Sequence, residues 1–127
     1  MECQTKDFQK EYKRKMRAVQ DSMDVLNGKW KISIISSLCC YNKRRFSDLL
    51  NDIEGISNRM LSKELKDLEI NQLVKRTVLD TQPITVQYEL TEHGLTLQTI
   101  ILNLIDWGIA HREKIIGKSS LLVSMND

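Results

Sequence analysis

Residues 46–88 read FSDLLNDIEGISNRMLSKELKDLEINQLVKRTVLDTQPITVQY, and the punctuation of this stretch decides the fold. Phe46 opens a short helical segment, with Ser47 placed to cap it and Leu49, Leu50 and Ile53 directed inward. Gly55 ends it. The interval 52–56 is brief enough to hold two helices at a steep angle, and Ser57 offers a hydroxyl to the free amide groups that begin the second. That second helix is expected over 57–69. At about 100° per residue, Leu61, Leu65 and Leu68 fall within one narrow arc, with Arg59, Lys63 and Lys66 opposite and Ser62 near them. After Asn71, residues 73–79 and 84–90 are rich in Val, Thr and Tyr, alternate apolar with polar, and are separated by Asp80-Thr81-Gln82-Pro83, which predicts a hairpin. Short helix, tight turn, basic helix and hairpin, in that order, describe a winged helix-turn-helix. The fold class expected is therefore mainly α with a small β-hairpin (α+β).

Working outward, residues 5–20 place Phe8, Tyr12, Met16 and Val19 every three or four positions among charged residues, the pattern of an amphipathic helix whose apolar edge must be covered. A core helix is expected to open near Asn27 or Gly28, to carry Trp30, Ile34, Ile35 and Leu38 with Ile32 beside them, and to end in the cationic corner Asn42-Lys43-Arg44-Arg45. On the other side, Thr91 caps a long helix over 92–117. Its apolar residues, Leu95, Leu97, Ile100, Ile101, Leu102, Leu104, Ile105, Trp107 and Ile109, exceed the one stripe a monomer core would use, and the surplus points to a partner chain. Residues 119–127 show no periodicity and read as a frayed tail.

Composition excludes more than it selects. A chain of 127 residues, 41% apolar and 28% charged, suits one soluble domain with a modest core. It has no apolar run approaching the roughly twenty residues of a membrane span, and its amino terminus lacks the apolar centre of a signal peptide, so a cytoplasmic location is expected. The net charge of +2 is too small to promise a nucleic-acid ligand, which makes the placement of charge decisive. Three cysteines, Cys3, Cys39 and Cys40, make neither a disulfide framework nor a zinc spacing. His93 and His111 stand too far apart on one helix to share a metal. No metal or other cofactor is expected, and neither is enzyme activity, since no histidine–carboxylate pair is spaced to activate a thiol.

What remains is outward-facing donors. Ser57, Asn58, Arg59, Ser62, Lys63 and Lys66 are residue types that touch DNA: arginine bidentate to guanine, asparagine to adenine, serine and lysine to phosphate. The plain alternative is a solvated helix face on which Lys63 pairs with Asp67, or Glu64 with Lys75 or Arg76. The flanking short helix and hairpin favour a DNA-binding surface. Lys43 and Arg45 lie where side chains can grip the backbone beside the groove, and Lys75 and Arg76 on the first wing strand alternate, so at most one faces a given DNA surface. The three thiols, Cys3, Cys39 and Cys40, admit a redox role, since Cys39 and Cys40 precede three cations, although buried inert cysteine is the stronger reading. A winged-helix module that binds a protein partner instead of DNA is the alternative to a DNA-binding regulator.

The residues Gly28-Lys29-Trp30, Arg45-Phe46-Ser47-Asp48-Leu49, Gly55-Ile56-Ser57, Met60-Leu61, Leu65-Lys66-Asp67-Leu68-Glu69, Leu73-Val74, Arg76, Pro83, Val86, Tyr88, Leu90-Thr91, Gly94 and Trp107 are together similar to the HxlR-type transcriptional regulators, relatives of the MarR group. The resemblance runs through residues 25–107. It implies a dimeric bacterial DNA-binding regulator, a repressor on a pseudo-palindromic operator, with the helix from Ser57 in the major groove, the wing (73–90) beside it, and N- and C-terminal dimerisation helices. The partner-facing residues would be Phe8, Tyr12, Met16, Leu97, Ile101, Leu104, Ile105 and Trp107. The implied partners are double-stranded DNA and a second copy of the chain, with a small-molecule or redox effector left unidentified. Two features depart from the family pattern. Residues 16–22 hold neither member of the Cys-Pro pair through which some relatives sense oxidants, and Ile84 and Thr85 stand where a basic wing residue is common.

Overall fold

The computed structural model describes residues 6–117. Its elements are α1 (Lys6–Val25), α2 (Lys31–Tyr41), β1 (Lys43–Arg45), α3 (Phe46–Asp52), α4 (Asn58–Ile70), β2 (Val74–Leu79), β3 (Thr85–Leu90), α5 (Glu92–Leu95) and α6 (Leu97–Ile116). This is a mainly helical winged helix with a small antiparallel sheet. The core is built where α2, α3 and α4 meet the sheet: Ile34, Ile35, Leu38, Leu49, Leu61, Leu65 and Leu68 are fully buried, and Leu73, Val74 and Tyr88 close it from below.

The sheet has the order β1-β3-β2, so the wing hairpin carries a third strand. The cationic corner 43–45 is that strand, with Lys43 opposite Glu89, Arg44 opposite Tyr88 and Arg45 opposite Gln87. Arg44 explains why the corner lies flat. Its guanidinium makes a two-pronged contact to Asp52, Nε to Oδ2 at 2.8 Å and Nη2 to Oδ1 at 2.7 Å, while Ser37 Oγ donates to the same carboxylate at 2.8 Å and the Tyr41 ring lies 4.3 Å beneath the guanidinium. One carboxylate thereby ties α2, β1 and α3 together. The Arg44 hydrogen bonds hold the Asp52 carboxyl below the usual aspartate range. A depressed carboxyl stabilises the fold at every pH above its ordinary value near 3.9, and that contribution fades as acid protonates it. Acid titration of wild type and Asp52→Asn should show it: the variant starts less stable at pH 7, and the gap between the two closes as pH falls below about 4.

The turn between α3 and α4 follows from Gly55, whose φ of +87° few side chains tolerate, and from Ile53 and Ile56, both buried beneath it. The Trp30 indole lies under this turn, close enough that a Cβ on Gly55 would sit 3.8 Å from it. Ser57 caps α4 by accepting the Met60 amide at 3.1 Å. Thr91 caps α5 by accepting the Gly94 amide at 2.9 Å, and its own hydroxyl donates to the Gln72 carbonyl at 2.6 Å, which pins the end of the sheet to its beginning.

Several boundaries differ from the sequence expectation. The amino-terminal helix continues through Val25, and α2 opens at Lys31 because Gly28, at φ +88°, interrupts the chain before Trp30. The cap position of α3 is Arg45 rather than Ser47, with Asp48 Oδ2 accepting the Arg45 amide at 3.0 Å. The long final helix is divided at Thr96 into α5 and α6. Among the described residues no helix is long and apolar enough to cross a membrane. The tail 119–127 lies outside the described residues.

Candidate nucleic-acid interface

The packing of α4 sorts its side chains. Leu61, Leu65 and Leu68 are at most 1% exposed, whereas Asn58, Arg59, Ser62, Lys63 and Lys66 are exposed. Arg59, Lys63 and Lys66 follow one another at spacings of four and three residues, so they share a face that spans about 10 Å at 1.5 Å per residue. Ser57 is exposed at the head of this face, its oxygen engaged by the Met60 amide.

The wing extends this surface on one side only. Arg76 pairs with Tyr88 across the ladder, and together they line a shallow cleft with Ser62, Lys66 and Glu69 of α4. Lys75, one residue earlier, pairs with Glu89, and so does Lys43 from the opposite edge strand. Register thus places the two lysines and a carboxylate in one cross-strand row on the other sheet face, away from Arg76. Of the two wing cations, Arg76 is the one beside α4. Arg45 is 59% exposed at its side chain yet bound to Asp48, with Nε 3.2 Å from Oδ2 and Nη2 3.3 Å from Oδ1, and this pairing holds the Asp48 carboxyl low.

Beneath the basic face is a charged contact that no local sequence pattern shows. Lys31, at the first turn of α2, is 4% exposed and places Nζ 2.7 Å from Glu64 Oε2, 3.4 Å from Asp67 Oδ2 and 3.4 Å from Asn27 Oδ1. Burial alone would lower the Lys31 pKa, but the hydrogen bonds and charges of Glu64 and Asp67 more than offset it, and the ammonium is held above its usual range. Lys31 and Glu64 stand 33 residues apart in the chain, so only the packing of α2 on α4 brings them together. The pairings of Lys63 with Asp67 and of Glu64 with the wing cations, expected of a plain solvated face, give way to this one. Lys63 Nζ lies only 4.0 Å from Glu64 Oε1.

The helices away from α4 expose large apolar side chains. α1 buries none of its residues, and Tyr12, Met16, Val19 and Met23 are between 43% and 62% exposed. On α6, Leu104, Ile105 and Trp107 are 51%, 48% and 66% exposed, with Trp107 stacked on His111 at 4.8 Å. Ile101 is a correction to the partner-facing set: at 5% exposure it belongs to the core, and Leu97 packs partly against that core as well. Cys39 and Cys40 line a cleft between α2 and α6 with Ser36, Gln98, Ile101, Leu102 and Ile105. Burial pushes the Cys39 thiol up, away from thiolate character, while Cys40 is exposed. Cys3 lies outside the described residues. Among the described residues no cluster of three or more His, Cys, Asp or Glu could hold a metal.

Comparison with known proteins fits this geometry. Residues 25–115 match the model of the HxlR-like helix-turn-helix family. The HTH-type transcriptional regulator YodB of Bacillus subtilis is 35% identical over 89 residues, covering 70% of this chain and 79% of YodB. YtcD of the same organism, an uncharacterized HTH-type transcriptional regulator, is 34% identical over 100 residues, covering 79% of each chain. Among solved structures, the redox regulator HypR in its reduced form superposes with a TM-score of 0.73 at 34% identity, covering 80% of this chain and 99% of HypR. A MarR-family regulator from Enterococcus faecalis superposes at 0.70 with 30% identity, covering 79% of this chain and 90% of that one. With a helix-turn-helix seated on a three-stranded wing and relatives of this kind across most of its length, the chain belongs to the HxlR-like helix-turn-helix family of transcriptional regulators.

Proposed function

We propose that the chain is a homodimeric, sequence-specific DNA-binding regulator, a repressor that occupies a pseudo-palindromic operator with one α4 in each of two successive major grooves. The observation that carries this reading is the division of α4, whose leucine face is sealed in the core while Arg59, Ser62, Lys63 and Lys66 face outward beside Arg76 of the wing. Arg59, Ser62 and Lys63 reach base edges or the adjacent phosphates. Ser57, Asn58, Lys66 and Arg76 hold the flanking backbone, and Lys43, Lys75 and Arg45 act further out, Arg45 weakened by its pairing with Asp48. A second copy covers the apolar faces of α1 and α6, with Phe8, Tyr12, Met16, Leu104, Ile105 and Trp107 at the contact, and the resulting two-fold axis sets half-sites about one helical turn apart.

Selection of bound fragments from a random duplex pool, followed by titration of the recovered operator, tests this. Arg59→Ala is expected to cost about 1–3 kcal/mol on the operator and to relax preference at one or two positions, because a bidentate base contact is lost. Lys66→Ala should weaken operator and random duplex alike, since a phosphate carries no sequence. Failure of the selection to converge on a shared sequence would leave a protein-binding module as the better account.

A further inference from the structure

α4 carries as many carboxylates as cations: Glu64, Asp67 and Glu69 against Arg59, Lys63 and Lys66. A helix of this composition ordinarily satisfies itself through pairs three and four residues apart, and Lys63 has Asp67 four residues on and Glu64 beside it. In the folded chain both carboxylates turn inward to one buried ammonium, with Lys31 Nζ 2.7 Å from Glu64 and 3.4 Å from Asp67. We propose that Lys31 is the internal counter-ion of the DNA-binding helix: by engaging Glu64 and Asp67 from behind, it leaves Lys63 with only a 4.0 Å contact to Glu64 Oε1 and its exposed ammonium open to phosphate. Lys31 is thus a positioning residue for a ligand it never touches, its side chain being 5% exposed on the inner side of α4.

The geometry gives the direction of the effect. Glu64 is as buried as Lys31, so once the ammonium is removed its charge is left with Lys63 Nζ, already 4.0 Å away, and that loose contact is drawn tighter. Asp67, 42% exposed at its side chain, is free to swing to the outer face toward the same lysine. Each route commits Lys63 more firmly to an intramolecular ion pair, and the counterion release that it would contribute is lost. The inference rests on the DNA-binding reading above and adds to it the claim that a residue on α2 sets how many α4 charges are available.

The test is a salt titration of duplex binding by the full chain, with folding monitored by circular dichroism. Lys31→Met is expected to lower affinity for operator and random duplex by on the order of tenfold, and to flatten the log–log salt slope by roughly 0.9 per protomer. Lys114→Met removes the same formal charge from the last turn of α6 and should change neither. Lys31→Met/Glu64→Gln/Asp67→Asn should recover the wild-type slope, which a merely structural loss would not allow. Should Lys31→Met fail to fold, Lys31→Met/Glu64→Gln buries a neutral pair and releases Asp67 alone; its slope is then compared with that of the triple variant. Equal slopes there, or a Lys31→Met protein indistinguishable from Lys114→Met, overturn the inference while leaving DNA binding intact. A wild-type chain whose duplex binding ignores salt overturns the DNA-binding reading itself, and this inference with it.

Discussion

Gly94→Ala should cost at least about 3 kcal/mol and leave much of the chain unfolded at 37 °C. A Cβ built on Gly94 would overlap the Leu73 carbonyl oxygen and stand 3.1 Å from Leu90 Cδ2. Leu90 can turn its side chain aside, but the carbonyl cannot retreat. The Leu73 carbonyl accepts the Thr91 amide at 3.0 Å, and its residue is the buried start of the wing, so moving it would open the junction that Thr91 pins through Gln72. A Cβ against a backbone carbonyl is the costly kind of overpacking, because no rotamer change relieves it. Thermal unfolding of Gly94→Ala beside wild type is the check, and a midpoint within a few degrees of wild type would show that the α5 junction is looser than its geometry.

The second large effect concerns assembly. Leu104→Glu combined with Trp107→Glu is expected to split the proposed dimer without unfolding the protomer, since both side chains are more than half exposed and contribute nothing to the core cluster. Light scattering should then report a mass near 14.8 kDa in place of twice that value. Affinity for the full operator should fall by roughly 10²–10⁴, because the second half-site is no longer bound intramolecularly, while affinity for an isolated half-site stays as it was. A wild-type chain that already runs at the monomer mass would contradict the assignment of α1 and α6 to a partner.

The parts of this molecule that were readable in the sequence are those governed by local periodicity and local hydrogen bonding. The leucine arc of α4 and the caps at Ser57 and Thr91 follow from residues within a turn or two of one another, and they stand in the structure as the sequence predicts. β1 was not legible. Three successive cations have no apolar alternation, and their strand character comes from pairing with β3, more than forty residues on. The extension of α1 to Val25 was hidden for a different reason: a helix that buries none of its residues needs no core-facing stripe to mark its last turns. Ile101 shows the limit of counting apolar residues. The sequence tells that α6 has more than one apolar side, but only contact with α2 shows which side its own protomer uses.

The same boundary runs through the candidate site. Arg59, Ser62, Lys63 and Lys66 were identifiable because a helical wheel separates them from the leucines. Lys31 was not, since nothing local links a lysine at the start of one helix to carboxylates two helices later. Arg76 and Lys75 could be recognised as alternatives, and the strand register supplied the choice.

The most direct measurement of the central claim, that a dimer presents two outward cationic α4 faces to duplex DNA, is the affinity of the wild-type protein for its selected operator across 50–300 mM monovalent salt. With at least two phosphate-directed cations per protomer, the account predicts a log–log slope of roughly −4 or steeper and saturation at two protomers per duplex. A slope near zero, or saturation at one protomer per operator, would contradict it.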